Sequence, residues 1–518
     1  MWSVIDTETD HDGRFRLGVV LDDDDRVRVT QNADEMRSWV LDRERVVWGH
    51  NISYDLGVLW RGSIGIRTMR GRFRSARHAG VLFLDTLSFF EMPLSELGGL
   101  TGVHKAGDGA ESLDYATDEL AEYCIQDCRA TAAGVRAIHA FSDDNGLTRT
   151  GTGPGSWARM IWARLEPWTV DYCDDRALFK AKQMPKGVVR GGLVKWTEGT
   201  LKNGVKYDIK SAYPWQMWSG EFPDLSRIGS KSGRDVLVQY RDPDRDVLVW
   251  GVPEECEAAG ARVIRRLKCP AGAWRRPFVS FCEHMMETRN KYREADDKAG
   301  AYLAKRVANS LSGIMGARTM SAFTRNGIVT GGATVDALPG TRSAWAALIT
   351  SRQRARLRRA WKTAVLPCYS DTDSLVAKRF TPDREGIELF GRWELETEFD
   401  RAVVLGPKMY ATFSAAGNSG HVKGIPKRMA VETIDRLLKG GETVVEWDSP
   451  FTYREIPGQA VLWTKRKRDP FRSLRETGRV NPKPIGVENG IEKQGRRANA
   501  RGVRQDRHPA EGIEAGRR

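Results

Sequence analysis

The sequence predicts two unlike bodies in succession, an α/β domain followed by a larger α+β unit. Three observations carry this expectation. Up to about residue 140, short β-rich runs (Trp2–Ile5, Val46–Trp48, Val81–Leu84) alternate with helical stretches, the pattern of an α/β domain. From about residue 190 strands dominate, interrupted by a helical block near 280–318. Strands then return around Asp371 and Lys408, and one pair of them is closed by an acidic turn.

The chain has 518 residues, too many for one domain and enough for three or four. Hydrophobic residues make up 40%, sufficient for real cores. The net charge of +14 calls for a polyanionic partner, nucleic acid first and an anionic membrane surface second. No apolar run approaches the length of a membrane span. The opening Met-Trp-Ser-Val-Ile-Asp-Thr-Glu lacks the basic and apolar regions of a signal peptide. Seven Cys are scattered without CxxC spacing, so a reduced, cytoplasmic setting is expected. Cys124 and Cys128 lie one helical turn apart with no His nearby and read as packing rather than as a zinc site.

In chain order, Val4-Ile5-Asp6-Thr7-Glu8 is a strand ending in acids at i and i+2. Asn51-Ile-Ser-Tyr54-Asp55 supplies a third carboxylate. Tyr123 and Asp127, i and i+4 on a helix, face one site and supply a fourth. Four acids and one Tyr suffice for two metals and an oriented water, the layout of a phosphodiester hydrolase. Each motif alone is weak, since Tyr-x-x-x-Asp on a helix is more often a surface pair. Ser142–Ser156, rich in Gly, Asp, Asn, Thr and Pro, reads as a linker. Ser156 could contact a single strand or simply cap a helix.

Val205–Ile209 reads as a strand delivering Asp208, with Ser211, Tyr213 and Pro214 behind it. Taken alone, Asp208 is equally well a helix cap. Arg289 and Arg293, and then Lys305 and Asn309, are i, i+4 pairs on helices. Together they would form a cationic slot fit for a triphosphate. A solvated charged face explains the two Arg about as well. Leu366–Lys378 reads as strand, tight turn, strand, with Asp371 and Asp373 at the tip. Such a tip can be a capped surface turn. With Asp208 it can also grip divalent metal, because a two-metal chemistry needs carboxylates converging from separate segments. Residues 424–480 read as a small α+β piece. The Gly- and Arg-rich stretch 481–518 reads as a disordered basic tail.

These motifs resemble those of family B DNA polymerases. Asp208-x-x-Ser211-x-Tyr213-Pro214, Lys305-x-x-x-Asn309-Ser-x-x-Gly313 and Tyr369-x-Asp371-Thr-Asp373-Ser374 look like motifs A, B and C, in the family's order. Lys408-Met-Tyr410, after Gly391-Arg-Trp-Glu, is most similar to the protein-primed branch of phages and linear plasmids. Asp6-x-Glu8, Asn51-x-x-Tyr54-Asp55 and Tyr123-x-x-x-Asp127 resemble the three motifs of 3′–5′ proofreading exonucleases, and Asp85-Thr-Leu-Ser-Phe-Phe the segment between the last two.

The resemblance implies a ribonuclease H-like α/β exonuclease domain and an α+β right hand of palm, fingers and thumb. The boundaries would be exonuclease 1–141, linker and connecting segment 142–190, palm 191–277, fingers with a possible small insertion 278–345, palm 346–423, thumb 424–480 and tail 481–518. Asp208 and Asp373, with Asp371 beside them, would bind two Mg2+, and Mn2+ could substitute. Asp6, Glu8 and Asp127 would bind one metal of a second pair and Asp55 the other, with Tyr123 placing the water. Tyr213 would exclude a 2′-hydroxyl, with Ser211 beside it. Lys305, Arg289 and Arg293 would hold nucleotide phosphates, and Asn309 would lie near the nascent pair. Lys408 and Tyr410 would steady the primer terminus, and Asn51 belongs to the exonuclease's substrate contacts. Partners would be primer-template DNA, deoxynucleoside triphosphates and, if the branch's priming is kept, a terminal protein in a bacterial host.

Three departures stand out. Ser312 replaces the family's usual Tyr. The Tyr-x-Gly-Gly segment appears as Val189-Arg-Gly191-Gly192. The stretch from Asp208 to Lys305 is short, so the insertion that helps seat a terminal protein would be reduced, while Ala317–Gly340 could hold the second insertion, which aids strand displacement. Rival readings are an exonuclease or DNA-repair protein with a weakened polymerase half, an RNA polymerase or primase, and a non-catalytic DNA scaffold. The intact acids argue against the first and third and Tyr213 against the second.

Overall fold

The computed structural model describes residues 1–10, 14–42, 46–60, 64–69, 72–105, 116–147, 151–171, 188–316, 319–325, 328–335, 342–388, 390–422, 427–438, 443–449 and 474–480. The expected tail, 481–518, and most of the expected thumb lie outside these residues.

The N-terminal part is built on a nine-stranded sheet. Seven of its strands run, edge to edge, Ile66–Met69, Arg72–His78, Val81–Asp85, Val46–Gly49, Trp2–Thr9, Phe15–Asp22 and Val27–Thr30. Trp2–Thr9, Val46–Gly49 and Val81–Asp85 pair in parallel, as connections through helices allow. Strand alternation sorts the core. Val4 faces the helix Thr117–Asp144, packing with Leu120, Tyr123 and Cys124. Ile5 faces the other way, toward Met36, Leu56 and Leu59. Asp6 and Glu8, in step with Val4, therefore end on the face of the long helix.

The remaining two strands are unexpected. Thr319–Arg325 and Ile328–Val335 form a hairpin inside the segment proposed as an insertion, and Thr319–Arg325 pairs antiparallel with Ile66–Met69. The insertion thus extends the N-terminal sheet. Register between edges 250 residues apart in sequence leaves no local pattern to read.

The linker expected at 142–156 is only partly a loop. The long helix continues to Asp144, Asn145 is buried, and Pro154–Leu165 is a helix carrying the buried Trp157 and Trp162. Pro at the first helical position costs no hydrogen bond there. Ser156 lies within that helix's first turn, where its hydroxyl donates to the Gly153 carbonyl at 2.7 Å and accepts from Thr152 N at 3.1 Å.

The C-terminal part centres on a seven-stranded, wholly antiparallel sheet, ordered Ser419–Val422, Met409–Phe413, Trp393–Gly406, Gly199–Ile209, Ser374–Arg379, Val365–Asp371 and Val194–Trp196. Of residues 191–277, only 194–209 joins it. Arg234–Asp242, Val247–Gly251 and Val263–Cys269 make a separate three-stranded sheet. The helices Val279–Glu294 and Lys298–Met315 stand as a pair, the second buried along Leu303, Ala304, Val307, Ala308 and Leu311. The helix Ser343–Thr363 lies behind the sheet. Lys427–Leu438 packs Ala430, Ile434 and Leu437 on Val403, Ala411 and Val422. The expected thumb therefore opens with a helix seated on the palm-like sheet.

Candidate active sites

Asp208 is the penultimate residue of its strand, opposite Ser374 on one side and Glu394 on the other. Asp371 ends Val365–Asp371, which is separated from the strand of Asp208 by Ser374–Arg379. Thr372 then takes a left-handed conformation, φ 59°, which turns the chain sharply enough to bring Asp373 back beside Asp371. The Asp373 carbonyl accepts from Ile209 N at 2.8 Å, tying the acidic tip to the strand of Asp208. Thr372 N donates to the Leu193 carbonyl at 2.8 Å. A Cβ on Gly192 would meet Thr372 Cα at 2.8 Å, so this position has room for glycine alone. The structure thus gathers Asp208, Asp371 and Asp373 in one cleft of about 680 Å3, with Lys408 and Tyr410 on its wall.

The electrostatics of the cleft are those of acids short of a cation. Burial, then Asp373 and Glu396, push Asp208 up to about 7. Burial, then Asp371 and Glu396, push Asp373 up to about 6. Lys305 opposes both shifts. Asp371 is already engaged: it accepts from Lys408 Nζ at 2.8 Å, Thr372 Oγ1 at 3.0 Å and the Tyr369 hydroxyl at 3.2 Å. Among the described residues, no side chain hydrogen-bonds Asp208 or Asp373. This donor set of hard oxygens suits a divalent ion of the Mg2+ type.

Two acids were missed from the sequence. Glu394 is paired with Lys210 at 2.6 Å and Glu396 with Lys206 at 2.8 Å, and both line the cleft. Glu396 is the extra residue of a bulge, between Leu395 opposite Tyr207 and Thr397 opposite Lys206. A signal was present: Glu394 and Glu396 stand at i and i+2, and so do Lys206, Asp208 and Lys210.

Ser211, at φ 47°, turns the chain from strand into the helix Ala212–Ser219 and so presents Tyr213. Burial, then Asp373, push the Tyr213 hydroxyl up to about 12. Ser211, Arg289 and Lys305 line a narrow cleft together. Burial and Arg293 hold the Arg289 guanidinium below its usual range, the mark of cations gathered where an anion can relieve them. Arg293 and Lys305 are exposed. Asn309 turns its amide to the Lys305 carbonyl at 2.8 Å. Ser312 is buried, with its hydroxyl on the Asn309 carbonyl at 3.0 Å.

Beneath the tip lies a buried ionic network that sequence reasoning did not find. Glu255 is fully buried. It accepts from Arg354 Nε and Nη2, each at 2.8 Å, from Arg190 Nη2 at 2.8 Å and from the Ser351 hydroxyl. Arg354 Nη1 also binds the Gly191 carbonyl at 2.9 Å. The network therefore anchors the glycine pair that abuts Thr372. Burial alone would raise Glu255, but Arg354 and Arg190 hold it below the usual carboxylate range. Replacing Glu255 by Gln leaves two buried guanidiniums short of a charge. It is expected to cost about 3 kcal/mol or more of stability, measured by thermal unfolding. Adding Arg354→Met should recover part of the loss.

The N-terminal acids also converge. Asp6, Glu8 and Cys124 each place a ligand atom within 4.8 Å of the others. Asp55 accepts from Thr7 Oγ1 at 2.9 Å, and burial pushes it up to about 8 against that bond. Burial, then Asp127, raise Asp6 well above the carboxylate range. Asp6 Oδ2 and Asp127 Oδ1 are buried without a partner. Orphaned anionic oxygens of this kind fit divalent cations.

Lys105, another residue the sequence did not reveal, reaches Asp127 Oδ2 at 2.5 Å, bonds the Tyr123 hydroxyl, and sits 4.4 Å above that ring. Eighteen residues separate it from Tyr123, beyond any helical spacing. Asn51, at φ 68°, donates its backbone N–H to the buried Asp85 at 2.9 Å, while its side chain accepts from Ser53 at 3.1 Å. Asp85, pushed up to about 7 by burial, fixes this turn.

No protein-family model matches the chain. A curated relative, the DNA-directed DNA polymerase of Enterobacteria phage PRD1, is 21% identical over 430 residues, covering 72% of this chain and 74% of the relative. Among solved structures, Phi29 DNA polymerase in an orthorhombic crystal form is 14% identical with a TM-score of 0.68, covering 93% of this chain and 100% of that one. Its ternary complex with primer-template DNA and incoming nucleotide gives 0.67, 14% and 93%. The chain therefore has the overall fold of a DNA polymerase. Within that class, it is similar in sequence and in fold to the protein-primed family B polymerases.

Proposed function

We infer that this chain is a DNA-directed DNA polymerase of the family B type, with a 3′–5′ exonuclease in its N-terminal domain. One observation carries the polymerase reading: Asp208 and Asp373 share a cleft and repel one another, and Lys305, which lines a second cleft with Arg289, is near enough to act on both acids. An incoming nucleotide would place its triphosphate against Arg289, Arg293 and Lys305. Tyr213 would lie under its sugar. Lys408 and Tyr410 would hold the primer end against Asp371.

Asp208 and Asp373, with Asp371 beside them, would hold divalent ions such as Mg2+ or Mn2+, and Asp6, Glu8, Asp55 and Asp127 a second pair; bound there, the ions would favour an ionised attacking oxygen and stabilise charge on the reacting phosphorus. In the N-terminal domain, Tyr123 and Lys105 would orient the water and Asp127. The basic tail would add salt-screened affinity for DNA.

The reading is tested by extension of an oligonucleotide on a primed linear template with deoxynucleotides, where absence of product would refute it. The same template without oligonucleotide, with and without a small basic terminal protein, tests protein priming in a bacterial host. Tyr213→Ala is expected to raise ribonucleotide insertion roughly tenfold or more relative to deoxynucleotide, scored as the ratio of kcat/KM values. An unchanged ratio removes Tyr213 from sugar selection.

A further inference from the structure

One side chain of the N-terminal centre has no part in the hydrolytic reading. The Cys124 thiol is buried, is in no disulfide, and lies within 4.8 Å of ligand oxygens on both Asp6 and Glu8. The fold places it there. Asp6 and Glu8 share the strand face that meets the long helix, and Cys124 sits on the turn of that helix that also carries Tyr123 and Asp127. Cys128, one turn on, directs its sulfur to the Val19 carbonyl at 3.9 Å and stays outside the group. A separate observation points to a cation. Within the group itself, Asp6 Oδ2 is buried without a partner, and one helical turn from Cys124 the 5% exposed Asp127, whose Oδ2 takes Lys105, keeps its Oδ1 buried and unpartnered.

We propose that Cys124 is a third ligand beside Asp6 and Glu8, so that this centre takes a thiophilic divalent cation of the Zn2+ or Cd2+ class. This deepens the exonuclease reading and rests on it. Zn–S bonds of about 2.3 Å and Zn–O bonds of about 2.0–2.2 Å set ligand atoms roughly 3.5 Å apart, so side-chain rotation of about an ångström closes the site. On binding, the thiol proton passes to solvent and the thiolate forms the sulfur–metal bond. Mg2+ gains nothing from the sulfur, because hard ions take oxygen ligands. A thiophilic ion held by Asp6, Glu8 and Cys124 withdraws those two carboxylates from Mg2+. Such an ion stops hydrolysis at this centre, whereas the cleft of Asp208 and Asp373 offers oxygen ligands only.

The test is titration of the full-length, reduced chain with Cd2+, read by ultraviolet thiolate-to-cadmium absorption. Absorption saturating near one equivalent, lost in Cys124→Ala and in Cys124→Ser, and needing at least about tenfold more Cd2+ in Asp6→Asn, supports the proposal. Absorption absent from the parent chain, or undiminished in both cysteine variants, overturns it. The Ser variant guards against a packing defect, since it keeps the volume and removes only the soft donor. A second readout is Zn2+ inhibition of Mg2+-supported degradation of single-stranded DNA, each variant scaled to its own rate. The half-inhibiting concentration should rise at least about tenfold in Cys124→Ser. Degradation by the parent chain with Mg2+ alone tests the exonuclease reading itself, which the Cd2+ absorption does not require.

Discussion

Asp208→Asn is expected to lower primer extension by at least about a thousandfold and to leave degradation of single-stranded DNA at its parental rate. Losing one anionic ligand removes several kcal/mol of charge stabilisation from the transition state, and each 1.36 kcal/mol is about a factor of ten. Asn is close to Asp in size, so the ladder to Ser374 and Glu394 should persist and the loss should fall on kcat. The substitution also relieves the repulsion with Asp373, so the metal-free variant should not unfold at a lower temperature than the parent. A pH signature accompanies the parent enzyme. Asp208, up to about 7, and Asp373, up to about 6, keep protons that a metal must displace. At limiting Mg2+, extension should therefore fall as pH drops through about 7 to 6, and saturating Mg2+ should move that fall to lower pH. Extension by the Asn variant within tenfold of the parent would remove Asp208 from the reaction.

Asp6→Ala combined with Glu8→Ala is expected to do the reverse. Degradation of single-stranded DNA should fall by about a thousandfold or more, while extension stays within a few-fold of the parent. The two acids stand on one strand face against Cys124 and Asp127, and Asp6 is raised by burial, Asp127, Asp55 and Glu8 together. Removing both strips that side of the site of its strand-borne oxygens, leaving Asp55 and Asp127 on their helices. It also relieves a buried cluster of like charge, so folding should not suffer. Extension and degradation measured on one preparation decide the matter. Degradation that survives the double change places the hydrolytic site elsewhere, and loss of both activities makes the effect structural.

Several features were legible because they are local. Period-two spacing gave the strand of Asp6 and Glu8 and the hairpin of Asp371 and Asp373, and helical spacing put Tyr123 with Asp127 and Lys305 with Asn309. Lys105 was not legible: an ammonium reaching Asp127 from 22 residues away leaves no periodic trace. The same is true of Glu255, which meets Arg190 and Arg354 from 65 and 99 residues away. Cys124 was legible only in part: it is core packing, as read from the sequence. The approach of the N-terminal strand, which no local pattern shows, adds two carboxylates as its neighbours.

The amino-acid sequence by itself determined which residue types sit at i, i+2 or i, i+4 of each element, and hence every acidic motif and the order in which the motifs stand. Such patterns follow from backbone geometry within a few residues. The tertiary structure alone decided how those elements are brought together: the pairing of Asp208 with Glu394 across strands, the Lys408 grip on Asp371, the hairpin joined to the N-terminal sheet, and the buried arginines behind the acidic tip. Each depends on strand register or on burial between distant segments, where the free energy of a contact belongs to two stretches of chain and is written in neither.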